Sequence, residues 1–216
     1  MSLICPPVLE ARRAAIGVLG ADLRALAEAA VRTGAPDEIL LGVAEEARRL
    51  TALLAVDQRG RAEVPEVDEF PGGVRVYSPA PGQGSPLAPP MTVEILPEEV
   101  VGACTLGLAH EGPPGYGHGG ISAMLLDELM GWACAAAGDP GMTTDLRLGY
   151  QRPVPLLAPL RLAARVTGAA GRRLSVHGTI ATAADPGTVL VAAAAVFFAP
   201  PPEQTQTLFP SLRGSA

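Results

Sequence analysis

The sequence HEGPPGYGHGGISAMLLDELMGWA, residues 110–133, joins a loop rich in glycine and proline to a long run of small and apolar residues. Glycine and proline mark the loop, and the run behind it predicts one helix over residues 119–137. Within that helix the only charged residues are Asp127 and Glu128. Because the helix is apolar on nearly every side, we expect it to be buried as if wrapped by a sheet.

A carboxylate in a buried helix is costly unless it is paired or takes part in chemistry. Asp127 lies on a narrow stripe of small residues, which would let another backbone or a ligand come close. Two interpretations stay open from the residues alone: a functional carboxylate, or a structural one that caps a neighbouring segment or pairs with Arg147 or Arg152. For Glu128 the pattern favours the structural role, as the partner of an arginine or a tyrosine.

The residues His118, Gly119 and Gly120 lie where the loop enters the helix. The first N–H groups of a helix have no partner within it, and the helix dipole adds partial positive charge there. Glycine lets a carbonyl oxygen approach that backbone closely, as an oxyanion hole for a tetrahedral intermediate requires. A glycine-rich turn that merely begins the helix is the alternative.

The distance in sequence between the Gly119 N–H and the Asp127 carboxylate predicts how many copies of the chain form one site. Gly119 and Asp127 are eight residues apart, which is ~12 Å along one helix at ~1.5 Å per residue. One helix therefore cannot easily bring both groups to the same carbon atom. Two antiparallel copies related by a two-fold axis can, so a shared site predicts a dimer.

The sequence on both sides of the helix predicts an α+β domain over residues 91–200. An apolar run at 99–111 predicts a strand before the loop. After the helix, strands are predicted at 143–154, 160–167, 174–180 and 188–199. The continuous apolarity of the last run is typical of a central strand. The order of the elements predicts one long helix beside an antiparallel meander.

Three further segments flank this domain. Residues 1–58 predict a helical hairpin, packed on the main domain or on a partner subunit, because apolar residues recur at helical spacing. The stripe on its first helix comprises Ile16, Leu19, Leu23, Leu26 and Ala30. Residues 59–90 carry many prolines and glycines and predict a linker or an arm laid over the surface. Residues 201–216 are expected to form a C-terminal tail.

Composition and charge exclude several classes of function. The net charge of −6 argues against a general nucleic-acid binder, because nothing would neutralise a row of phosphates. All sixteen basic residues are arginine, which removes lysine-based Schiff-base chemistry. The cysteines Cys5, Cys104 and Cys134 show neither disulfide nor zinc spacing. No apolar run is long enough to span a membrane and the N-terminus does not look like a signal peptide, so we expect a cytoplasmic protein.

The segments 110–133 and 143–154 together resemble the phenylacetyl-CoA thioesterase-like branch of the hotdog-fold acyl-CoA thioesterases. The shared features are a GPPG-type loop, HGG at the start of the helix, an aspartate nine residues after the histidine, and TTDLRLGYQRPV with its Thr/Ser and Tyr-x-x-Pro. The resemblance covers residues 91–200. It implies a hotdog fold, in which a curled antiparallel sheet wraps the long helix and two domains pair into one continuous sheet. A homodimer, or a homotetramer as a dimer of dimers, is then expected.

The resemblance also implies a reaction, the hydrolysis of acyl-CoA thioesters to a free acid and CoA, with no cofactor besides the CoA of the substrate. The backbone N–H of Gly119 would polarise the thioester carbonyl, and Asp127 would act as general base or, alternatively, as nucleophile. Thr143 would position the water or the carboxylate, while His118 would shape the loop or touch the thioester. Some relatives place a polarising asparagine six residues before the histidine, where this chain has Gly112.

The CoA portion of such a substrate carries phosphates, which guanidinium groups bind well. The predicted contacts near the dimer interface are Arg147, Arg152, Arg172 and Arg173. Each of these arginines, taken alone, fits a solvated charge at a strand end equally well. Gly120 and Glu128 complete the predicted substrate-binding residues.

Other functions fit parts of the same pattern. Residues 115–120 match GxGxxG, the dinucleotide-binding fingerprint, but the strands behind the helix look like hairpins and not like repeated βαβ units. A hotdog protein that binds an acyl-CoA or an aromatic ligand without hydrolysis stays open, because the polarising asparagine is missing. Serine hydrolase chemistry lacks a GxSxG motif, and His110 and His118 lack a third ligand for a metal.

Overall fold

The computed structural model describes residues 7–61, 63–68, 75–201 and 203–204. The helices in these residues are α1 Pro7–Arg32, α2 Asp37–Leu54 and α3 Gly119–Ala136. The strands are β1 Thr92–Ile95, β2 Val100–Thr105, β3 Met142–Tyr150, β4 Pro159–Ala170, β5 Arg173–Thr182 and β6 Val191–Phe198. Short 3-10 turns occupy Glu66–Asp68 and Leu108–His110. No helix among the described residues has the length and apolarity that crossing a membrane demands.

Within the described residues, the six strands form one antiparallel sheet in the order β1-β2-β4-β5-β6-β3. α3 lies against one face of this sheet and packs mainly on β4 and β5. The fully buried apolar residues of this helix are Leu125, Leu126, Leu129, Met130 and Cys134, which share one core cluster with the inward side chains of the strands. The predicted α+β architecture, a long helix wrapped by an antiparallel sheet, is confirmed.

Glycines of the sheet let α3 approach it closely. A side chain at Gly178 of β5 would begin 3.1 Å from Leu126. One at Gly102 of β2 would begin 3.3 Å from Leu129. Both distances are tighter than ordinary carbon contacts, so these two glycines fix how deeply the helix sits in the sheet.

Most of the predicted elements are present, with bounds that differ by a few residues. The helix predicted at 119–137 is α3, and the strands predicted behind it are β3 to β6. β6 lies between β5 and β3, as its continuous apolarity indicated. The strand predicted over 99–111 is wrong beyond Thr105, because the following residues form a 3-10 turn whose N–H groups find partners outside the sheet. β1 was not predicted, since four mostly exposed residues at a sheet edge carry no clear alternation.

The N-terminal residues form the two predicted helices, and α1 packs with only part of the predicted stripe. Ile16 of that stripe is buried, whereas Leu19 and Leu26 are 42% and 41% exposed. The other buried residue of α1 is Gly20, where a side chain would begin 2.3 Å from the carbonyl oxygen of Gln83. The close backbone approach at Gly20 therefore turns the buried face of α1 away from Leu19 and Leu26. In the described chain no residue of α2 is buried.

Residues 75–90 belong to the segment expected to lie over the surface, but many of them are buried, as is the following residue. The buried positions include Val76, Ser78, Ala80, Ser85, Ala88 and Met91. Val76 packs with Ile16 of α1, whereas Ala80 belongs to the main core cluster. We call residues 75–91 the arm; it joins α1 to the unit formed by α3 and the sheet. The predicted tail at 201–216 lies almost entirely outside the described residues.

Candidate active site

The N-terminus of α3 presents a backbone N–H group that no acceptor among the described residues uses. His118 is the N-cap residue, and its Nδ1 accepts a 3.0 Å hydrogen bond from the Gly120 N–H. The carbonyl of His118 accepts the next N–H groups, those of Ile121 and Ser122. Within the described residues the N–H of Gly119 has no acceptor, and the residue is only half-buried. This N–H is therefore free to bind an oxygen atom of a ligand.

Tyr150, the last residue of β3, holds the same turn of the helix. Its hydroxyl donates a 2.9 Å hydrogen bond to the carbonyl of Gly119. A side chain at Gly119 would begin 3.1 Å from the Tyr150 hydroxyl oxygen and 3.2 Å from its ring. An alanine at this position would therefore press on the Tyr150 ring, which would have to move by a few tenths of an ångström. The strand motif contains Tyr150, but no spacing rule links it to a glycine 31 residues earlier, so its contact was missed from the sequence.

Asp127 is half-buried on α3 and is bound by Thr143, which lies near the start of β3. Thr143 Oγ1 donates a 2.6 Å hydrogen bond to Asp127 Oδ1. Among the described residues no arginine pairs with this carboxylate, and Arg147 pairs instead with Asp145 at 3.0 Å. The alternative in which Arg147 or Arg152 neutralises Asp127 is therefore wrong. Oδ2 of Asp127 keeps no partner in the described chain.

An irregularity in β3 aims Thr143 at α3. Thr143 pairs with Phe197 of β6 and Asp145 pairs with Val196, which leaves Thr144 as an extra residue between them. Such a β-bulge interrupts the alternation of side chains along the strand. In a regular strand Thr143 and Asp145 would share a face. The bulge instead lets Thr143 face the helix while Asp145 faces away from it.

β3 thus contacts α3 at Asp127 and at Gly119, one with each end of the strand. The arrangement provides a carboxylate that is held by a hydroxyl group, and a free N–H at a helix N-terminus. The two groups remain on separate turns of one helix, eight residues and ~12 Å apart. A single chain therefore orients the carboxylate and leaves the N–H free, but it does not place the two groups next to each other.

Comparison with known proteins identifies the family. The family model described as the thioesterase superfamily matches residues 114–189. A solved crystal structure of a thioesterase superfamily protein is 35% identical with a TM-score of 0.75, and the match covers 84% of this chain and 94% of that one. The chain belongs to the thioesterase superfamily. The resemblance to the hotdog-fold thioesterase superfamily, inferred from the loop and helix motifs, is thereby confirmed. The sheet and α3 form a hotdog fold.

Curated relatives of this superfamily chain are named acyl-coenzyme A thioesterase THEM4. The protein of Mus musculus is 35% identical and that of Rattus norvegicus 34% identical, each over 101 residues. Each match covers 47% of this chain and 43% of the relative. The chain thus matches less than half the length of these curated relatives.

Glu128, the neighbour of Asp127, is engaged by the arm of this thioesterase superfamily chain. Its Oε2 accepts a 3.2 Å hydrogen bond from Ser78 Oγ, and its Oε1 accepts one of 3.3 Å from Trp132 Nε1. Arg75 lies 3.8 Å from Oε2 with most of its side chain in solvent, so this ion pair contributes little. Of the two partners that the sequence suggested, an arginine or a tyrosine, the arginine is present, and the hydrogen bonds with Ser78 and Trp132 were not predicted.

The four arginines predicted to contact CoA are exposed and spread over the sheet of this superfamily member. Arg172 and Arg173 lie at the sheet end that carries Thr143, because residue 173 pairs with β6 opposite the start of β3. Arg152 directly follows β3 at its other end. Arg147 lies between them on the face away from α3, where it lines an open groove of about 510 Å³. In the described chain these arginines do not form one phosphate site.

Gly112 stands where the resemblance suggested a polarising asparagine. A side chain at this position would begin 2.8 Å from the Cα of His118. The N–H of Gly112 donates a 2.8 Å hydrogen bond to the carbonyl of Tyr116, which closes the loop on itself. The loop of this superfamily member is therefore built around glycine and has no room for a side chain there.

The two cysteines in the described residues, Cys104 and Cys134, are poor candidates for nucleophiles. Burial raises the pKa of the Cys104 thiol to about 12. Burial, with a smaller contribution from the charge of Asp139, raises the pKa of Cys134 to about 12 as well. Both thiols therefore stay protonated near neutral pH. Cys5 lies outside the described residues.

Proposed function

We propose that this chain hydrolyses acyl-CoA thioesters to a free acid and CoA, at sites shared between two copies of the chain. The observation that carries the proposal is the 2.6 Å hydrogen bond from Thr143 to Asp127, on a helix whose Gly119 N–H is unused in the described chain. The similarity to proteins named acyl-coenzyme A thioesterase supports the choice of substrate.

In the proposed reaction Asp127 acts as general base. Thr143 holds one carboxylate oxygen, which leaves the other to accept a proton from a water molecule. The water oxygen attacks the thioester carbonyl carbon, and the carbonyl oxygen takes up the negative charge of the tetrahedral intermediate. Collapse of this intermediate breaks the carbon–sulfur bond, and CoA leaves as a thiolate. Asp127 then returns its proton to the sulfur or to solvent.

The Gly119 N–H is the proposed donor to the oxyanion of that intermediate. It lies at the N-terminus of an 18-residue helix, where the helix dipole favours negative charge. His118 shapes this donor, because its Nδ1 binds the N–H of Gly120 and so fixes the first turn. Losing one donor of this kind lowers kcat by roughly 10²–10³-fold in other acyl-transfer enzymes.

Two copies are needed because Gly119 and Asp127 lie ~12 Å apart on one helix. Within the described residues β3 is an edge strand that pairs with β6 on one side only, and most of its residues are exposed. Such an edge can pair with the same strand of a second copy about a two-fold axis. That pairing would set two α3 helices antiparallel, with Gly119 of one copy facing Asp127 of the other.

The same association would gather the dispersed arginines. Antiparallel pairing of two β3 strands brings the end of one next to the start of the other. Arg152 of one copy would then approach Arg172 and Arg173 of its partner, and guanidinium groups placed in this way suit the phosphates of CoA. Arg147 and Glu128 are further candidates for substrate contacts. The reaction requires water and no cofactor.

Release of free thiol from short, long and aromatic acyl-CoAs tests the proposal. Wild type is expected to turn over at least one of them, and Asp127→Asn to lose about 10²-fold or more in kcat while staying folded and dimeric. Asp139→Asn is a matched control, because this exposed aspartate lies just beyond α3. It should keep the wild-type rate. Equal rates for wild type and Asp127→Asn would refute the role of Asp127.

A second function, binding of an acyl-CoA without hydrolysis, is favoured by the glycine at position 112, where the loop cannot supply a polarising amide side chain. Equilibrium binding of an acyl-CoA distinguishes the two functions. Micromolar binding together with no thiol release from any substrate of the panel would support the binder and refute the hydrolase.

A further inference from the structure

A carboxylate from α1 holds the start of the loop that leads to Gly119. Glu28 Oε1 accepts a 3.1 Å hydrogen bond from the Leu108 N–H, and Oε2 accepts one of 3.0 Å from the Ala109 N–H. These N–H groups begin the Leu108–His110 turn, 80 and 81 residues further along the chain than Glu28. Both α1 and this turn lie outside the residues 114–189 that the family model matches.

Both the backbone next to the turn and the charge of Glu28 favour this contact. Gly107 precedes the turn, and a side chain there would begin 2.5 Å from Glu28 Oε2. Glycine thus lets the carboxylate come close to the backbone. The hydrogen bond from the Ala109 N–H above all, with those from Leu108 and Arg32, lowers the pKa of Glu28 despite the opposing effect of burial. The carboxylate is therefore charged near neutral pH, and its bonds to the turn are charge-assisted.

A backbone hydrogen bond leads from the turn directly to the site. The carbonyl of His110, the last residue of the turn, accepts a 2.9 Å hydrogen bond from the His118 N–H. Glu111 and Gly117 form a β-bridge that closes the loop one residue further in. His118 in turn caps α3 immediately before the unused N–H of Gly119. Glu28 and the oxyanion donor are thus joined by a short run of backbone contacts.

The loop is held both by the core and by α1. The N–H of Gly117 donates a 2.8 Å hydrogen bond to the carbonyl of Val154, and the carbonyl of Leu106 accepts one of 2.8 Å from the Leu157 N–H. Glu28 binds the turn itself, through the N–H groups of Leu108 and Ala109. Without the carboxylate, those two N–H groups would lose their partners, and fewer bonds would hold the turn relative to His118.

We propose that Glu28 is a positioning residue for the Gly119 N–H donor. Through Glu28, α1 holds the loop that runs from the Leu108–His110 turn to His118 in place. Glu28 acts through the backbone of His110 and touches neither the substrate nor the reacting atoms. The inference rests on the proposed thioesterase function, because a displaced Gly119 N–H would no longer meet the oxyanion. Since that donor acts mainly in the transition state, its displacement lowers kcat more than it changes KM.

Steady-state thiol release by the full chain tests this positioning role. Glu28→Ala should lower kcat by about tenfold or more with KM within about twofold of wild type. Glu28→Gln keeps one acceptor oxygen and should give an intermediate kcat. Asp22→Ala is the matched control on the same helix, because Asp22 is exposed and makes no contact with the loop. It should keep the wild-type kcat.

Amide hydrogen exchange in the same variants separates positioning from a general loss of stability. In Glu28→Ala we expect faster exchange at Leu108, Ala109 and His118, with the amides of β4 and β5 unchanged. An unchanged kcat, or unchanged protection at His118, would overturn the inference. A uniform increase of exchange across β4 and β5 would overturn it as well, since Glu28 would then act on the whole fold.

Failure of the inference and failure of the proposed function have different signatures. If wild type hydrolyses the panel but Glu28→Ala retains either its kcat or its protection at His118, the inference alone is wrong. If wild type releases no thiol from any acyl-CoA, the proposed hydrolase is wrong. Exchange at His118 then decides whether Glu28 holds the loop.

Discussion

Thr143 Oγ1 lies 2.6 Å from Asp127 Oδ1 and donates a hydrogen bond to it across 16 residues of sequence. The hydroxyl comes from an edge strand and the carboxylate from the helix that the sheet wraps. Because Oδ1 is engaged, the direction in which Oδ2 presents its lone pairs is set by the strand as well as by the helix. A general base held in this way meets a water molecule with a defined orientation.

This hydrogen bond predicts opposite behaviour for two replacements of Thr143. Thr143→Val keeps the shape but removes the donor, and kcat should fall by about tenfold or more because the carboxylate loses its orientation. Thr143→Ser keeps the donor and should retain most of the rate. Thiol release under saturating acyl-CoA measures both. An equal loss in the two variants would mean that the methyl group matters and the hydrogen bond does not.

The contact of Tyr150 with Gly119 predicts a second effect on rate. Tyr150→Phe removes the donor to the Gly119 carbonyl but keeps the ring that packs on the glycine. Stability should change by no more than about 1 kcal/mol, because the hydroxyl is exposed and can bind water. kcat should fall several-fold as the first turn of α3 loosens. Tyr77→Phe on the arm is the control, and an equal effect of both variants would argue against the role of Tyr150.

If each site takes Gly119 from one copy and Asp127 from the other, two inactive variants should restore activity when they are mixed. Asp127→Asn removes the base, and Gly119→Ala places a carbon 3.1 Å from the Tyr150 hydroxyl oxygen, which displaces the donor. Random reassociation gives one intact site in each mixed dimer, and hence about a quarter of the wild-type activity.

Refolding the two variants together and measuring thiol release tests this complementation. Each variant refolded alone is the control and should stay inactive. Activity of the mixture no higher than that of the separate variants would mean that both groups act from the same chain.

The contact of Glu28 with the turn predicts a defined pH dependence. The hydrogen bond from the Ala109 N–H above all lowers the pKa of Glu28 in the folded chain below its usual value of 4.5. The carboxylate therefore contributes stability that is fully present above pH 4.5 and is lost as the pH falls through the lower, folded pKa. The difference in unfolding free energy between wild type and Glu28→Gln should shrink over that acid range. Denaturant titrations at a series of pH values measure it, and a difference that is constant with pH would contradict the assignment.

Local patterns predict the framework of the molecule well. The apolar run behind HGG predicts α3 because helix formation depends on neighbouring residues, and alternation predicts the meander β4-β5-β6 because these strands have one buried face. The predicted meander is wrong for β3, which pairs with β6 and not with β4, because strand order depends on contacts between distant residues. The unpaired N–H at Gly119 follows from the same local reasoning, since every helix begins with N–H groups that lack partners. The proximity of Thr143 to Asp127 was suggested by the family resemblance and not by any periodicity.

Contacts between distant residues were not predictable in this way. Glu28 and Ala109 are 81 residues apart, and Tyr150 and Gly119 are 31 apart. A side chain that binds a remote backbone group leaves no repeat in the sequence. The packing face of α1 was predicted only in part for a related reason, because the close approach at Gly20 buries Ile16 of the predicted stripe but leaves Leu19 and Leu26 exposed.

Because of the extra residue in β3, the strand should tolerate the deletion of one of its two adjacent threonines. Two adjacent threonines stand at the bulge, and the pairing of Thr143 with Phe197 decides which of them meets Asp127. If one of the two were deleted, the remaining threonine would stand opposite Phe197 in a regular strand and still face the helix. Either threonine can therefore supply the hydroxyl that binds Asp127. Deleting one of the two residues should lower kcat less than replacing Thr143 with valine, which removes only its hydroxyl oxygen.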